Sequence, residues 1–276
     1  VDQIADTAVH GRRNLIINGD FQVWQRGTSS TTDGYSTADR FQGASQNGAA
    51  TFSQQSFTLG QTDVPGEPKF YYRHNQTTAA TDYLPNIQQK IEDVRTLAGQ
   101  TATLSLYAKA SKSLTLKANI AQNFGSGGSP SSGNTFVSAV TIGTLTTSWQ
   151  RITYSFDVPS ISGKTLGTND NHRLEVYLQF PGSDTYSVDL ALIQIEAGNK
   201  ATPFEHRSYG EELALCQRYF AYAQAGISGG AVSGNHLCLT YYPRVEFRAL
   251  PTLSLTCKLR VDLTGVHNNT QASTDV

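Results

Sequence analysis

Strict alternation of apolar and polar side chains in three segments limits the folds open to this chain more than any other feature. Within residues 103–110, the apolar members are Leu104, Leu106 and Ala108, and the polar members are Ser105, Tyr107 and Lys109. The segments Leu114–Gln122 and Arg173–Phe180 alternate in the same way. Because successive side chains of a β-strand point to opposite sides of the sheet, each segment predicts a strand with one buried face and one polar face.

Further strand patterns recur from Asn14 onward, separated by clusters of Gly, Pro, Asn and Ser. They are Leu15–Phe21, Thr51–Leu59, Lys69–Asn75, Asn86–Glu92, Thr135–Gly143, Trp149–Val158 and Tyr186–Glu196. Many short strands separated by turn signals are typical of sandwiches and barrels. We therefore predict an all-β fold built as a β-sandwich.

One helix interrupts the strand patterns. Ser208 followed by Glu211 is a capping-box signature, and Leu213, Cys216 and Phe220 recur at helical spacing. Gly226 is the expected end of this helix. We predict a connector over residues 1–13, the sandwich over 14–209, and the helix with the start of a second β domain over 210–276. In that last part, residues 236–242 and 252–260 are expected to be strands.

Composition and charge exclude several classes of protein. Apolar residues make up 38% of the chain and charged residues 16%, which is too apolar for disorder. The net charge is −1 and Lys and Arg are scattered, so we expect a neutral partner and no nucleic acid. No apolar stretch approaches the ~20 residues that span a bilayer. The chain has no Met and no signal-peptide core near Val1, so we expect a piece of a longer or processed polypeptide.

The three cysteines, Cys216, Cys238 and Cys257, have no metal-binding spacing. We interpret them as free buried thiols. Four aromatic residues and one histidine are expected to serve packing: Trp24, Trp149, Phe156, Phe204 and His74.

Several motifs together resemble tail-fibre and related appendage proteins of bacteriophages, particularly marine phages and cyanophages. The motifs are Gly11–Thr28, Thr37–Phe41, Arg95–Gly99, Trp149–Arg151, Ala201–Glu205 and Glu212–Phe220. The later stretch Tyr242–Thr252 separately resembles the C-terminal domain of such fibres. The segment Asn14–Phe21 also resembles the opening strand of jelly-roll carbohydrate-binding modules. The resemblance covers roughly residues 11–222.

This resemblance implies a jelly-roll sandwich in a virion tail fibre that is made in the host cytoplasm. It further implies a homotrimer that contacts other virion tail proteins and binds a host surface glycan without catalysing a reaction or entering the membrane. A purely structural fibre or decoration protein is the alternative. A glycan depolymerase would need two opposed carboxylates, and no catalytic motif marks such a pair.

The polar faces of the alternating strands contain the candidate sugar-binding residues. Sugars present C–H faces and hydroxyl groups, which favour aromatic rings flanked by amides and charged groups. The candidates are Tyr107, Lys109, Lys117, Asn119, Glu175, Tyr177 and Gln179, expected to share one sheet. Similar modules place an aromatic and an acidic residue two positions apart, as Glu175 and Tyr177 are. Alternatively, these side chains form a solvated face or pack against a neighbouring subunit.

A structural calcium ion is the only cofactor that the resemblance implies. Similar jelly rolls hold Ca²⁺ with the Asn-Gly-Asp segment and an Asp of the last strand, which match Asp20 and Asp189. The Glu expected after that segment is Gln22 here, which removes a charge from the site. The loop over residues 123–133 is rich in Gly and Ser but lacks a P-loop ending, so we predict a plain connection between strands.

Overall fold

A computed structural model describes residues 13–80, 85–222, 243–249 and 251–252, and the backbone of four further short strands. The connector predicted over residues 1–13 lies almost wholly outside the described residues. Eleven strands up to residue 197 form two sheets that pack face to face.

The two sheets are antiparallel throughout. In spatial order, the six-stranded sheet contains β1 (Ser29–Ser30), β3 (Ala49–Ser56), β4 (Phe70–Thr78), β11 (Tyr186–Ala197), β6 (Thr101–Ala110) and β9 (Gln150–Asp157). The five-stranded sheet contains β2 (Gln42–Ala44), β5 (Asn86–Ile91), β10 (Arg173–Gln179), β7 (Leu114–Asn123) and β8 (Asn134–Leu145). Since the chain passes repeatedly from one sheet to the other, the fold is the expected all-β jelly-roll sandwich.

The core lies between the sheets and is built from the predicted apolar rows. Leu104, Ala108, Ile120 and Leu174 are each 0% exposed. Their alternation with polar neighbours confirms the inward and outward rows expected for β6, β7 and β10. Each fully buried Leu or Ile contributes about 1.5–3 kcal/mol to folding. Trp24 and Phe156 pack on this core, as predicted.

The expected opening strand over Leu15–Phe21 is wrong. This segment is a turn, in which Asn18 has a φ of 61° and the Phe21 amide donates to the Asn18 carbonyl at 2.9 Å. Asn18 is fully buried, and its side-chain amide donates to the carbonyls of Val23 and Asp39. The turn is held to β11 by bonds between Leu15 and Ile195 and between Gly19 and Ile193. These side-chain and edge contacts replace the ladder of a regular strand.

Two chain segments far apart in sequence meet at one end of the sandwich, and we call this contact the terminal clamp. The backbone amides of Arg13 and Asn14 donate to the Glu205 carboxylate at 3.2 and 2.7 Å. Arg207 in turn donates to the carbonyls of Asn14 and Ile16. The clamp therefore joins the start of the sandwich to the segment that leads into the helix.

Helix α1 (Tyr209–Gln217) begins as predicted, with the Ser208 hydroxyl accepting from the Glu211 amide at 3.3 Å. The expected end at Gly226 is wrong, since the helix stops at Gln217. The amides of both Tyr219 and Phe220 donate to the Cys216 carbonyl. This turn directs the two aromatic rings onto arginines of the sandwich. Cys216 is a free, buried thiol, as expected.

Four strands follow the helix: β12 (Ser228–Ser233), β13 (His236–Thr240), β14 (Lys258–Arg260) and β15 (Gln271–Ser273). They pair as β12–β13 and β14–β15, both antiparallel. The side chain of Cys238 and all of Cys257 lie outside the described residues. The division at residue 209 stays a prediction. In the part of the chain that the structure describes, no helix has the length and apolar character to cross a membrane.

Candidate functional site

The outer side of the five-stranded sheet is a continuous polar surface, which we call the polar face. Strand register places Gln42, Gln88, Tyr177 and Asn119 side by side across four strands. The neighbouring row along the strands pairs Lys90 with Glu175, and a third row pairs Gln179 with Lys117. All of these lie on the outer side of the sheet because they alternate with the residues that face the core, although Gln88 is itself only 8% exposed.

Five of the predicted sugar-binding residues therefore lie together on the polar face. They are Lys117, Asn119, Glu175, Tyr177 and Gln179, and each is partly exposed. The predicted pair of an acidic and an aromatic residue makes direct contact, since the Tyr177 hydroxyl donates to Glu175 at 3.1 Å. Arg173 holds the same carboxylate at 2.6 Å. Burial and the adjacent Glu175 raise the pKa of Tyr177 to about 12, so its hydroxyl stays a donor at neutral pH.

The expectation that Tyr107 and Lys109 share this sheet is wrong. Both lie on β6 in the six-stranded sheet, on the opposite side of the sandwich. Tyr107 packs in a separate cluster with Phe57, Tyr71, Trp149 and Phe204. Lys109 lies 5.1 Å from the centre of the Trp149 ring. The local alternation correctly predicted that both side chains point outward. It carries no information, however, on which sheet a strand joins.

The two predicted calcium ligands have different surroundings, and the calcium site stays a prediction. Asp189 is engaged by cations: it accepts two hydrogen bonds from the Arg73 guanidinium, at 2.7 and 2.8 Å, and Lys109 lies 3.8 Å from it. Asp20 is 4% exposed, burial raises its pKa, and its Oδ1 has no hydrogen-bond partner among the described residues. No group of three or more His, Cys, Asp or Glu side chains is arranged for a metal among the described residues.

A pocket of about 350 Å³ lies at the edge of the polar face and shares Lys90 and Arg173 with it. We call it the basic pocket. Its other walls come from the loops before β2 and β10, the residues after α1, and residue 248. Its cationic lining residues are Arg26, Arg40, Lys90, Arg173 and Arg248, and its aromatic ones are Tyr35, Tyr219 and Phe220.

Aromatic rings hold two of the pocket arginines in place. The Arg26 guanidinium lies 3.6 Å from the centre of the Phe220 ring, and that of Arg40 lies 3.4 Å from the centre of the Tyr219 ring. Stacking of this kind covers one face of each guanidinium and leaves its N–H edge for hydrogen bonds. The turn after α1 thus builds one wall of the pocket.

Glu92 is the carboxylate that lines the pocket, and it is already engaged. Arg218 and Arg248 lie 3.0 and 3.3 Å from it, and the Tyr219 hydroxyl donates to it at 2.6 Å. Burial alone raises the pKa of Glu92, but these hydrogen bonds and cations outweigh it and lower the pKa to about 2. Glu92 therefore stays ionised and fixes the residues after α1 to the sandwich.

Sequence reasoning missed the residues that complete the polar face and the pocket, chiefly Gln42, Gln88, Lys90, Tyr35 and Arg40. A signal existed for two of them. In the strand predicted over Asn86–Glu92, the alternation that places Ile87 and Ile91 on one side also places Gln88 and Lys90 on the other. Tyr35 and Arg40 lie in irregular segments, where no periodicity gives their direction.

The similarity of this chain to known proteins is a similarity of fold. No family model matches this sequence, and no curated protein matches it. The enzymatically active domain of tailspike protein 4 from bacteriophage CBA120 is 14% identical, with a TM-score of 0.41 over 67% of this chain and 21% of that one. The match thus spans about a fifth of the tailspike domain.

Two complete single domains are similar to the same degree. The N-terminal cellulose-binding domain of a β-1,4-glucanase from Cellulomonas fimi is 14% identical, with a TM-score of 0.39 over 64% of this chain and 98% of that one. A cyclase from Fischerella is 11% identical, with a TM-score of 0.42 over 68% and 98%. Since a fold does not by itself determine function, the function has to be argued from the site.

Proposed function

We propose that this chain is a non-catalytic, glycan-binding part of a bacteriophage tail fibre that attaches the virion to its host. The observation that carries the proposal is the row of Gln42, Gln88, Tyr177 and Asn119 across the polar face. Amide groups both donate and accept hydrogen bonds, as sugar hydroxyls require. The Tyr177 ring adds a surface for sugar C–H groups.

Binding at one such face is expected to be weak, because few of its side chains are large aromatic anchors. The fibre resemblance described above supports a homotrimer displayed on the virion. Three copies of the polar face that engage one cell surface together would raise the overall affinity well above that of a single site.

The state of the nearby carboxylates favours binding over hydrolysis. A glycosidase needs a protonated carboxylic acid beside the scissile bond. Glu92 is held ionised by two arginines, and Glu175 is held by Arg173 and Tyr177. Glu92 is therefore not placed to deliver a proton.

Loss of the polar row tests the proposal. We expect Asn119→Ala and Tyr177→Ala to weaken binding to host cells and to arrayed host surface glycans about five- to tenfold, since each removes hydrogen bonds to hydroxyl groups. Asn75→Ala is the matched control. It removes a partly exposed Asn from β4, on the outer side of the other sheet.

Circular dichroism and thermal unfolding establish that each variant is folded. Equal affinity of wild type, Asn119→Ala and Tyr177→Ala for every bound glycan would refute the polar face as the binding surface. If the assembled wild-type protein binds neither host cells nor their glycans, the sandwich is a structural module of the virion.

A further inference from the structure

Cations that are scattered along the sequence converge in the basic pocket. Arg26, Arg40, Lys90, Arg173 and Arg248 all line it, although the whole chain has a net charge of −1. The sequence alone gave no sign of this concentration, and it predicted a neutral partner. The pocket therefore has a local charge very different from that of the whole chain.

Ion pairs within the described residues neutralise only part of this charge. Arg26 pairs with Asp39 at 3.6 Å, Arg173 pairs with Glu175, and Arg218 and Arg248 share Glu92. The three carboxylates thus face six cations: Arg26, Arg40, Lys90, Arg173, Arg218 and Arg248. Asp170 does not offset the surplus, because its carboxylate is 86% exposed and lies beside His172.

Arg40 and Lys90 contribute the unpaired charge. Arg40 is 7% exposed, donates to the Lys90 carbonyl, and has no hydrogen-bond partner at Nε in the described parts of the chain. Lys90 lies within 4 Å of no described carboxylate, since Arg173 holds its cross-strand neighbour Glu175. Burial, and then the positive charge of Arg173, lower the pKa of Lys90.

We propose that the basic pocket is the subsite for an anionic substituent of the glycan, a carboxylate, phosphate or sulfate group. The inference rests on the proposed function, and it adds the class of sugar. Guanidinium and ammonium groups form the strongest hydrogen bonds to such anions, and in a partly buried pocket these bonds are only weakly screened. Cations paired with carboxylates are usual on a protein surface. A buried surplus of positive charge, in contrast, costs free energy unless an anion neutralises it.

The position of the pocket fits this assignment. Lys90 belongs both to the pocket and to a row of the polar face, and the pocket residue Arg173 precedes Glu175 by two positions on β10, so a glycan lying across the face extends into the pocket. The Tyr35 side chain lines the same space and lies close enough to Arg26, Arg40 and Arg173 to interact electrostatically with their positive charges. Its hydroxyl adds a neutral donor for the sugar ring that bears the anion.

Calorimetric titration with three matched tetrasaccharides tests the inference. The probes are a galacturonic acid tetramer, its carboxyl-reduced neutral form, and a sulfated galactose tetramer, all measured at low and at high ionic strength. We expect the acidic tetramers to bind about tenfold more tightly than the neutral one, with an advantage that falls as salt increases. Of the two acidic tetramers, the one whose affinity exceeds that of the neutral tetramer by the larger factor identifies the preferred anion.

Lys90→Met removes the pocket charge and keeps a long side chain. It should weaken binding of the acidic tetramers about tenfold and weaken binding of the neutral one far less. Lys69→Met is the control, since Lys69 carries the same charge but is exposed and directly precedes β4 in the other sheet. Thermal unfolding checks that both variants are folded.

Equal affinity for acidic and neutral tetramers, or equal losses in Lys90→Met and Lys69→Met, would overturn the anion subsite. Either result leaves the proposed function standing, provided that wild-type protein still binds host glycans. Absence of binding to every glycan and to host cells overturns both proposals.

Discussion

At the scale of single residues, His74 shows how the sandwich core controls protonation. The side chain is fully buried on β4, and its ring lies 5.3 and 5.2 Å from the rings of Phe52 and Phe180. Its Nε2 is 2.8 Å from Gln76 Oε1. Burial lowers the pKa of His74 to about 4, so the core holds a neutral imidazole.

This pKa predicts a loss of stability in mild acid. The unfolded chain protonates His74 near pH 6.5, whereas the folded chain does so only near pH 4, so the unfolded state binds more protons between these values. The free energy of unfolding therefore falls as the pH falls through that window, by about 2 kcal/mol at pH 5 from this residue. Urea denaturation at pH 7.5 and pH 5 measures the loss, and His74→Phe should reduce it by that amount.

Tyr72→Phe is the control, because Tyr72 lies in the same core and burial raises its pKa further above this range. That variant should keep the wild-type dependence on pH. If the free energy of unfolding of His74→Phe fell between pH 7.5 and pH 5 as much as that of wild type, His74 would not be the source of the loss.

Side-chain direction was the residue property that the sequence predicted best. Leu104, Leu116 and Val176 point inward as expected because period two is fixed by the strand backbone itself. The roles of Asn18 and Arg207 were missed. Both are buried polar residues whose partners lie in distant loops, and no local pattern records such contacts.

At the scale of elements, the turn at Asn18–Asp20 depends on close approach to β11. A Cβ atom added at Gly19 would lie 2.1 Å from the carbonyl oxygen of Ile193. We expect Gly19→Ala to lower the free energy of unfolding by about 3 kcal/mol, because the backbone of β11 has to move.

Gly210→Ala provides the comparison in urea denaturation. Among the described residues, apart from its chain neighbours and its own helix backbone, no atom lies within 4 Å of a Cβ added there, at the start of α1. Its effect should be under about 1 kcal/mol and favourable. A Gly19→Ala protein as stable as wild type would show that the turn does not need glycine.

Helix α1 is attached to the sandwich by a buried charge. Glu212 is 3% exposed, accepts from the Asn18 amide, and lies 3.2 Å from Arg207. Glu212→Ala leaves Arg207 buried without this partner, so we expect a loss of about 3 kcal/mol in the free energy of unfolding. Urea denaturation measures it.

Glu211→Ala changes the neighbouring carboxylate, which is only partly buried. Its expected cost is under about 1 kcal/mol, the usual effect of a charge in the first helical turn. Similar losses in the two variants would mean that Glu212 does not attach the helix.

The start of this helix was predictable from sequence and its end was not. Ser208 and Glu211 are a local signal. The end at Gln217 depends on Tyr219 and Phe220 stacking against Arg40 and Arg26, which are remote in sequence. Similarly, the strand expected at Leu15–Phe21 has the composition of a strand, but its backbone partners are an irregular part of β11.

At the scale of the whole molecule, the jelly-roll class was predictable and the assembly of the site was only partly so. Five of seven candidate sugar-binding residues lie on one face, whereas Tyr107 and Lys109 lie on the other sheet. Sheet membership is decided by pairing between distant strands, such as β6 with β11. The basic pocket escaped prediction for the same reason, since its residues come from strands and loops far apart in the chain.

The terminal clamp has a mechanical consequence. Arg13 and Asn14 are bound directly to Glu205, and Arg207 is bound to Asn14 and Ile16. A pulling force applied to the chain at Arg13 and Arg207 is therefore carried by a few hydrogen bonds at this end of the sandwich. The two sheets form a closed loop beside the line of tension, so the polar face stays unstrained until the clamp itself gives way.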